Sequence, residues 1–267
     1  MSKQIRDQIK GNPEIPTKAL QSELEQKLEL NVSWMKVFRA KKQAEKEIQG
    51  DYHQQYALLR DYCEELILQN PSSTVTIDVD RVNNVTETTR MFKRIYVCLG
   101  PLKQGFKACL RDLIGLDGAF MKDPFPGQVL TAVGVDPNNG IYPVAYAIVE
   151  AENKDSWIWF LECLGLDLDL DIRSNFTFIS DRQMGLIQAI AKVFPFAEHR
   201  YCLKHIHENM KLHWRGRAYQ DILWRCATAT TVQQFERHMQ EMKSLNADAY
   251  NWLAKIPPKH WARSHFS

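Results

Sequence analysis

The sequence predicts an α/β protein in which a helical N-terminal region precedes a mixed sheet. Residues 1–70 carry apolar residues at helical spacing, whereas the chain beyond residue 71 is rich in Val, Ile, Tyr and Thr. Two short apolar runs in that second part each end in an aspartate. Apolar residues every three or four positions indicate a helix with one buried face, and short β-branched runs between turns indicate strands. We therefore expect a helical region 1–70, a β-rich lead-in 71–112 and a core over 113–267.

The composition indicates a globular protein that can bury a core, with 45% hydrophobic and 25% charged residues in a chain of 267. The net charge is only +2, so a nucleic-acid-binding surface would have to be local. Six scattered cysteines without a CxxC pair favour a reducing compartment over a disulfide framework. The polar N-terminus predicts no secretory signal, and no apolar run approaches membrane-spanning length.

The first region has the pattern of a helical pair. Leu20, Leu24 and Leu28 form one apolar stripe, and Ser33 is a good N-cap for a second helix over Trp34–Ile48. The second helix is basic, and its candidate DNA-binding side chains are Lys36, Arg39, Lys41 and Lys42. A tight turn followed by a basic helix is typical of a helix-turn-helix. A helical hairpin with a solvated basic face is the alternative, since the first helix is acidic.

The clearest boundary in the chain is Asn70-Pro71-Ser72-Ser73, after which strands are expected. Their predicted ranges are 74–82, 91–99, the run that ends at Asp117, 128–135 and 142–150. A strong turn over Asp136–Gly140 and a loop over Pro124–Gly127 join the last three strands. These three strands are therefore expected to form an antiparallel meander.

A parallel crossover is expected after the meander. Helical periodicity over Asn153–Leu164 is followed by a linker, Gly165–Asp171, a strand that ends at Asp181 and a helix over Gln183–Val193. A strand, a crossover helix and a further strand form a βαβ unit, for which a right-handed crossover is expected. Three meandering strands followed by this unit have the connectivity of a ribonuclease-H-like fold.

Asp117 and Asp181 are the candidate catalytic and metal-binding residues. Each follows an apolar strand-like run, so the two carboxylates converge at one edge of the sheet if the strands are parallel neighbours. A carboxylate in such a place costs desolvation energy unless a cation or hydrogen bonds compensate. Paired carboxylates can hold divalent metal ions for phosphoryl-transfer chemistry.

Beyond residue 197 the chain is basic and rich in histidine. Cys202 and His205 have the spacing of half a zinc site, but no partner pair is visible, so zinc is not expected and a structural or DNA-proximal role is favoured. Basic side chains here are candidates for contact with a phosphate backbone, namely Arg200, Lys204, Lys211 and Arg215. A solvated helix face is the alternative.

Several motifs occur in a fixed order along the chain. They are Val32–Ala40 with Gly50–Tyr52, Leu116–Lys122, Pro143–Ala147, Trp157–Leu161, Ile179–Leu186, and Cys202–His205 followed by Asn209. As an ordered set over residues 30–265, they resemble the Mutator-like (MULE-type) transposases of plants.

The resemblance implies a ribonuclease-H-like DDE core with a helical insertion, in which Asp117, Asp181 and a glutamate bind Mg²⁺ or Mn²⁺. It implies hydrolysis of a DNA phosphodiester at the transposon end and attack of the freed 3′-hydroxyl on target DNA. The expected partners are terminal inverted repeats, target DNA and a second copy of the chain, with no membrane. The expected location is the nucleus.

One departure from the family pattern concerns the glutamate. In the family it follows a Trp-Ala-x-x-x-Phe segment, which Trp261–Phe266 resembles, and the sequence ends at Ser267. We therefore expect the third carboxylate to be missing and cleavage to be impaired, since Glu208 and Glu236 stand in the wrong context. A DNA-binding or transcription-regulatory protein and a non-functional transposon remnant are the alternatives.

Overall fold

The structure is a computed structural model that describes residues 2–12, 14–29, 31–49, 52–81, 90–109, 111–122, 126–171 and 175–266. It consists of two compact units, Met1–Glu65 and Leu66–Ser267. In the described part of the chain, no helix combines the length and the apolar character that crossing a membrane requires.

The N-terminal unit is helical, as the periodicity predicts. Its helices are α1 (Ser2–Gly11), α2 (Thr17–Leu28), α3 (Trp34–Gln49), α4 (Tyr52–Ala57) and the start of α5 (Leu59–Gln69). Helix α3 packs against both α1 and α2. Leu20 and Leu24 of the predicted apolar stripe are buried with Ile5, Ile9 and Val37, whereas the Leu28 side chain lies outside the described residues.

The C-terminal unit is built on a seven-stranded sheet of order β1-β2-β5-β4-β3-β6-β7. Its strands are β1 (Thr74–Arg81), β2 (Arg90–Cys98), β3 (Leu113–Met121), β4 (Gly127–Val135), β5 (Ile141–Val149), β6 (Thr177–Ser180) and β7 (Glu198–Tyr201). Strands β3, β4 and β5 form the predicted antiparallel meander. Strand β6 pairs parallel to β3, and β7 pairs parallel to β6. The predicted crossover is therefore confirmed, whereas β7 was not predicted.

Helices accompany the sheet and continue beyond it. They are α6 (Gly100–Cys109), α7 (Lys154–Leu168), α8 (Met184–Val193), α9 (Leu203–Lys211), α10 (Arg217–Thr228), α11 (Val232–Leu245) and α12 (Ala247–Ala254), followed by 3-10 turns at Pro258–His260 and Arg263–His265. Helix α6 was not predicted. Helices α9 to α12 have a core of their own, in which Met210, Leu223, Met242 and Leu253 are fully buried.

Helix α7 covers the sheet with a fully buried face that includes Trp157, Phe160 and Leu164. The prediction that residues 165–171 form a linker was wrong, because α7 continues through Leu168. The extension is stabilised by Asp167, whose carboxylate is 7% exposed. It accepts hydrogen bonds from Thr74 Oγ1 (2.5 Å), Tyr96 Oη (2.9 Å) and Lys103 Nζ (2.7 Å).

Candidate active site beside two parallel strands

The two candidate aspartates lie at matching positions of neighbouring parallel strands. Leu113, Ile114 and Gly115 of β3 pair with Thr177, Phe178 and Ile179 of β6. Asp117 and Asp181 each follow two residues after the last of these pairs, so continuing the register sets them opposite each other. The structure thus brings the two carboxylates to one edge of the β3–β6 pair, as the sequence predicts.

Asp117 does not end its strand, which corrects one detail of the prediction. Strand β3 continues to Met121 because β4 still pairs with it, and Asp117 stands opposite Thr131. Only the β6 side of β3 is free of a paired strand at this point, and the Asp117 side chain is exposed. The backbone N–H of Gly118 donates to Asp117 Oδ1 at 3.0 Å.

Asp181 is held in the turn between β6 and α8. Its Oδ1 accepts a hydrogen bond from the backbone N–H of Gln183 at 3.0 Å, and the Gln183 side chain caps α8 at Leu186. The backbone carbonyl of Asp181 accepts from Ser180 Oγ at 2.7 Å. These contacts fix the backbone on both sides of the carboxylate before any ligand arrives.

A partly buried histidine supports the Asp181 turn from β7. His199 Nε2 lies 2.8 Å from Ser180 Oγ, and His260 Nδ1 donates to the carbonyl of His199 at 2.6 Å. Burial lowers the pKa of His199 to about 4, and the neighbouring His260 acts in the same direction. His199 is therefore neutral near pH 7 and does not contribute to the basic surface that the composition of this region suggests.

A third carboxylate, Glu152, reaches the same edge of the sheet from the segment before α7. A Cβ added to Gly118 would lie 2.7 Å from the carboxyl carbon of Glu152 and 2.8 Å from each of its oxygens. Trp157 Nε1 donates to Glu152 Oε1 at 3.3 Å, and Gln183 Nε2 donates to the Glu152 carbonyl at 3.1 Å. The sequence analysis missed Glu152 because a glutamate before a helix N-cap is ordinary and its spatial neighbours are distant in sequence.

Electrostatic coupling links Glu152 to both aspartates. Burial raises the pKa of the Glu152 carboxyl, the hydrogen bond from Trp157 opposes that rise, and the charges of Asp181 and Asp117 add to it. In the described ranges, however, no three His, Cys, Asp or Glu side chains are close enough to hold a metal ion as they stand.

A groove of about 460 Å³ opens beside Asp181. Besides Asp181, its polar lining includes Arg182, Tyr201, Asn209 and Lys255. The Arg182 guanidinium lies over the Trp252 ring at 5.5 Å, and its Nε is buried with no hydrogen-bond partner among the described residues. A carboxylate at the rim of a groove with two cationic side chains suits an anionic ligand bound through a metal ion.

Cys202 and His205 lie one turn apart at the start of α9. The backbone N–H of Cys202 donates to the Ser180 carbonyl at 2.7 Å and so continues the β6–β7 pairing to the start of the helix. Buried His205 Nδ1 has no hydrogen-bond partner among the described residues. No cluster of metal-ligating side chains surrounds this pair within the described ranges.

The candidate DNA-binding side chains fall into two groups. Lys36, Arg39 and Lys42 are exposed on α3, as are Lys204 and Arg215 in the C-terminal unit. The other side chains are engaged within the protein. Lys41 Nζ donates to the Ile15 carbonyl at 2.6 Å, Lys211 pairs with Glu208 at 2.9 Å, and Arg200 pairs with Glu198 at 2.6 Å.

Comparison with known proteins identifies a family for this part of the C-terminal unit. Residues 113–209 match the family model of the MULE transposase domain. This range begins with β3, ends in α9 and includes Asp117, Glu152 and Asp181. A search of curated protein sequences finds no match to the chain. The chain therefore carries a MULE-type transposase domain over residues 113–209.

Proposed function

We propose that the C-terminal unit carries out metal-dependent cleavage and strand transfer of DNA at transposon ends, with Asp117 and Asp181 as catalytic metal ligands. The observation that carries the proposal is the parallel pairing of β3 with β6 within the MULE domain, since Asp117 and Asp181 each follow the last paired residue by two positions. The antiparallel β3–β5 meander extended by parallel β6 and β7 supports a ribonuclease-H-like core with α9 to α12 as its helical insertion.

The donor set fits a hard divalent cation. Asp117 and Asp181 offer carboxylate oxygens, which are the ligands that Mg²⁺ and Mn²⁺ prefer. Hydrogen bonds from Gly118 N–H and Gln183 N–H orient one oxygen of each carboxylate and leave the other oxygen available. A bound divalent cation would supply stabilisation of the negative charge that develops on the phosphodiester.

The surrounding residues suit a DNA strand. Arg182 and Lys255 lie in the groove beside Asp181, where they can balance the backbone charge. Tyr201 and Asn209 add a ring and an amide to the same groove. Such contacts position a phosphate without reading base sequence.

The experiment is a nicking assay on supercoiled DNA and on transposon-end DNA with Mg²⁺ or Mn²⁺. Although the missing glutamate is expected to impair cleavage, we expect residual metal-dependent nicking that Asp117→Asn and Asp181→Asn each reduce by at least about 100-fold, since each substitution removes a ligand charge. Asp136→Asn is the matched control, because Asp136 belongs to the β4–β5 turn. Nicking that survives both aspartate substitutions would refute the proposal.

A second candidate function, DNA binding without cleavage, is favoured by the exposed basic stripe of α3. Lys36, Arg39 and Lys42 follow one another at helical spacing, whereas Val37 and Ala44 of the same helix are buried. Alanine substitution of all three cations should weaken DNA binding and reduce the slope of log affinity against log salt by about 3, roughly one for each lost phosphate contact.

The matched control removes three exposed lysines from other helices of the same unit, Lys10, Lys18 and Lys27. Both triple variants change the net charge equally, so a nonspecific effect of charge weakens binding equally in both. A larger loss for the α3 variant supports a DNA-binding face on α3, and equal losses refute it.

A further inference from the structure

We propose that Glu152 is the third carboxylate of the Asp117–Asp181 site and ligates the divalent cation with them. The inference rests on the proposed function, because it assigns a further ligand to the same site. The sequence predicts that the glutamate which follows the helical insertion in the family is missing. Glu152 would supply a third carboxylate from a different position, because it precedes α7.

The first argument is the contact between Glu152 and Gly118. The Glu152 carboxylate occupies the space that a side chain at residue 118 would fill, directly beside Asp117. A Cβ at residue 118 would lie 2.8 Å from both carboxylate oxygens, so the Glu152 carboxylate can hold this position only beside a glycine. A carboxylate seated against the backbone that carries another carboxylate is unfavourable unless a cation or hydrogen-bond donors compensate.

The second argument is that Glu152 is also attached to the Asp181 side of the site. Gln183 joins the two residues, since its backbone N–H donates to Asp181 Oδ1 and its side-chain amide donates to the Glu152 carbonyl. Glu152 is thus attached by its backbone to the turn that carries Asp181, and its carboxylate lies against the strand that carries Asp117. It connects the two halves of the site.

The third argument is that hydrogen-bond donors compensate the negative charge of the Glu152 carboxylate only in part. The carboxylate is half-buried, and the hydrogen bond that it accepts from Trp157 Nε1 is long, at 3.3 Å. As they stand, the three carboxylates are not close enough together to hold one metal ion. Mutual repulsion keeps three like charges apart, and a divalent cation reverses the sign of that interaction.

The experiment measures Mn²⁺ binding to the full chain by the loss of the free-ion electron paramagnetic resonance signal, so that no DNA cleavage is needed. Glu152→Gln keeps the length of the side chain and an oxygen that can accept from Trp157, but it removes the charge. We expect it to weaken Mn²⁺ binding by at least about tenfold. The control is Glu150→Gln, an exposed glutamate at the end of β5, which should change the affinity less than about twofold.

Gly118→Ala provides a second variant that leaves every charge in place. Its new Cβ displaces the Glu152 carboxylate, which is the far end of a flexible side chain, so the fold is retained. We expect Mn²⁺ affinity to fall in the same direction as for Glu152→Gln. Unchanged circular dichroism and melting temperature in both variants exclude a general loss of structure as the cause.

The outcomes separate this inference from the proposed function. If Asp117→Asn abolishes Mn²⁺ binding while Glu152→Gln and Gly118→Ala bind as the unmodified protein does, Glu152 is structural and only the inference fails. If Asp117→Asn and Asp181→Asn leave Mn²⁺ binding unchanged, the proposed metal site itself fails. If the aspartate variants, Glu152→Gln and Gly118→Ala all weaken Mn²⁺ binding, both the proposed metal site and the role of Glu152 in it are supported.

Discussion

Replacing Asp167 by Asn should destabilise the C-terminal unit far more than the same substitution two residues later. Asp167 is 7% exposed and pairs with Lys103, whose side chain is 16% exposed, at 2.7 Å. Removing one partner of a buried pair leaves the other charge uncompensated and costs about 3–5 kcal/mol. The fully buried Tyr96 also donates to this carboxylate.

The expected loss for Asp167→Asn lies at the lower end of that range, at about 3 kcal/mol. The amide retains one oxygen that can accept from Tyr96, and Lys103 Nζ keeps its contact with Thr74 Oγ1 at 3.0 Å. For a unit of this size, about 3 kcal/mol corresponds to a fall in melting temperature of roughly 6–12 °C.

Asp169→Asn is the matched control because Asp169 caps the same helix and pairs with Lys107 in solvent, with its side chain 78% exposed. Asn tolerates the left-handed backbone at this position, where φ is 55°. A surface pair of this kind contributes at most about 1 kcal/mol. Urea unfolding followed by tryptophan fluorescence gives both free energies. Equal losses for the two variants would refute the reasoning that burial of the Asp167–Lys103 pair sets its contribution.

Three further perturbations test the elements around the site. His199 has a folded-state pKa of about 4, below the usual value near 6.5. The unfolded state therefore binds the proton more readily, and stability should fall by about 2 kcal/mol from pH 7 to pH 5 through this group. His199→Gln should show a shallower pH dependence in urea titrations, and an unchanged slope would contradict a buried neutral imidazole. Asn153→Ala removes the cap to Ser156 N–H (2.9 Å) and should cost about 1 kcal/mol in the same titration, whereas Asn153→Asp should restore it. Gly100→Ala places a Cβ against the Pro71 carbonyl oxygen and should lower stability by about 1–3 kcal/mol, and unchanged stability would contradict this close approach of the two backbone segments.

The elements that could be predicted from the sequence are those encoded by local pattern. The apolar stripe of Leu20 and Leu24 and the buried face of α7 follow from helical periodicity. The β3–β5 meander follows from β-branched runs and strong turns. The convergence of Asp117 and Asp181 could also be predicted, because each follows an apolar run and the intervening helix forces a parallel crossover.

The features that could not be predicted depend on partners remote in sequence. Helix α7 was expected to end at Leu164, since nothing local shows that the Asp167 carboxylate meets Thr74, Tyr96 and Lys103. Lys41 belongs to the basic pattern of α3 but donates to the Ile15 carbonyl of the same unit instead of facing solvent.

The sequence by itself determined the helices of the N-terminal unit, the β3–β5 meander and the crossover that aligns Asp117 with Asp181, because hydrophobic periodicity and turn residues act over a few neighbouring positions. Only the tertiary structure decided that Glu152 joins them. Its carboxylate lies beside Gly118, which has no Cβ, and its backbone carbonyl accepts a hydrogen bond from the Gln183 side-chain amide. These two residues are 34 and 31 positions away along the chain. Contacts over such separations exist only after the sheet and its crossover helix have packed, so no local pattern records them.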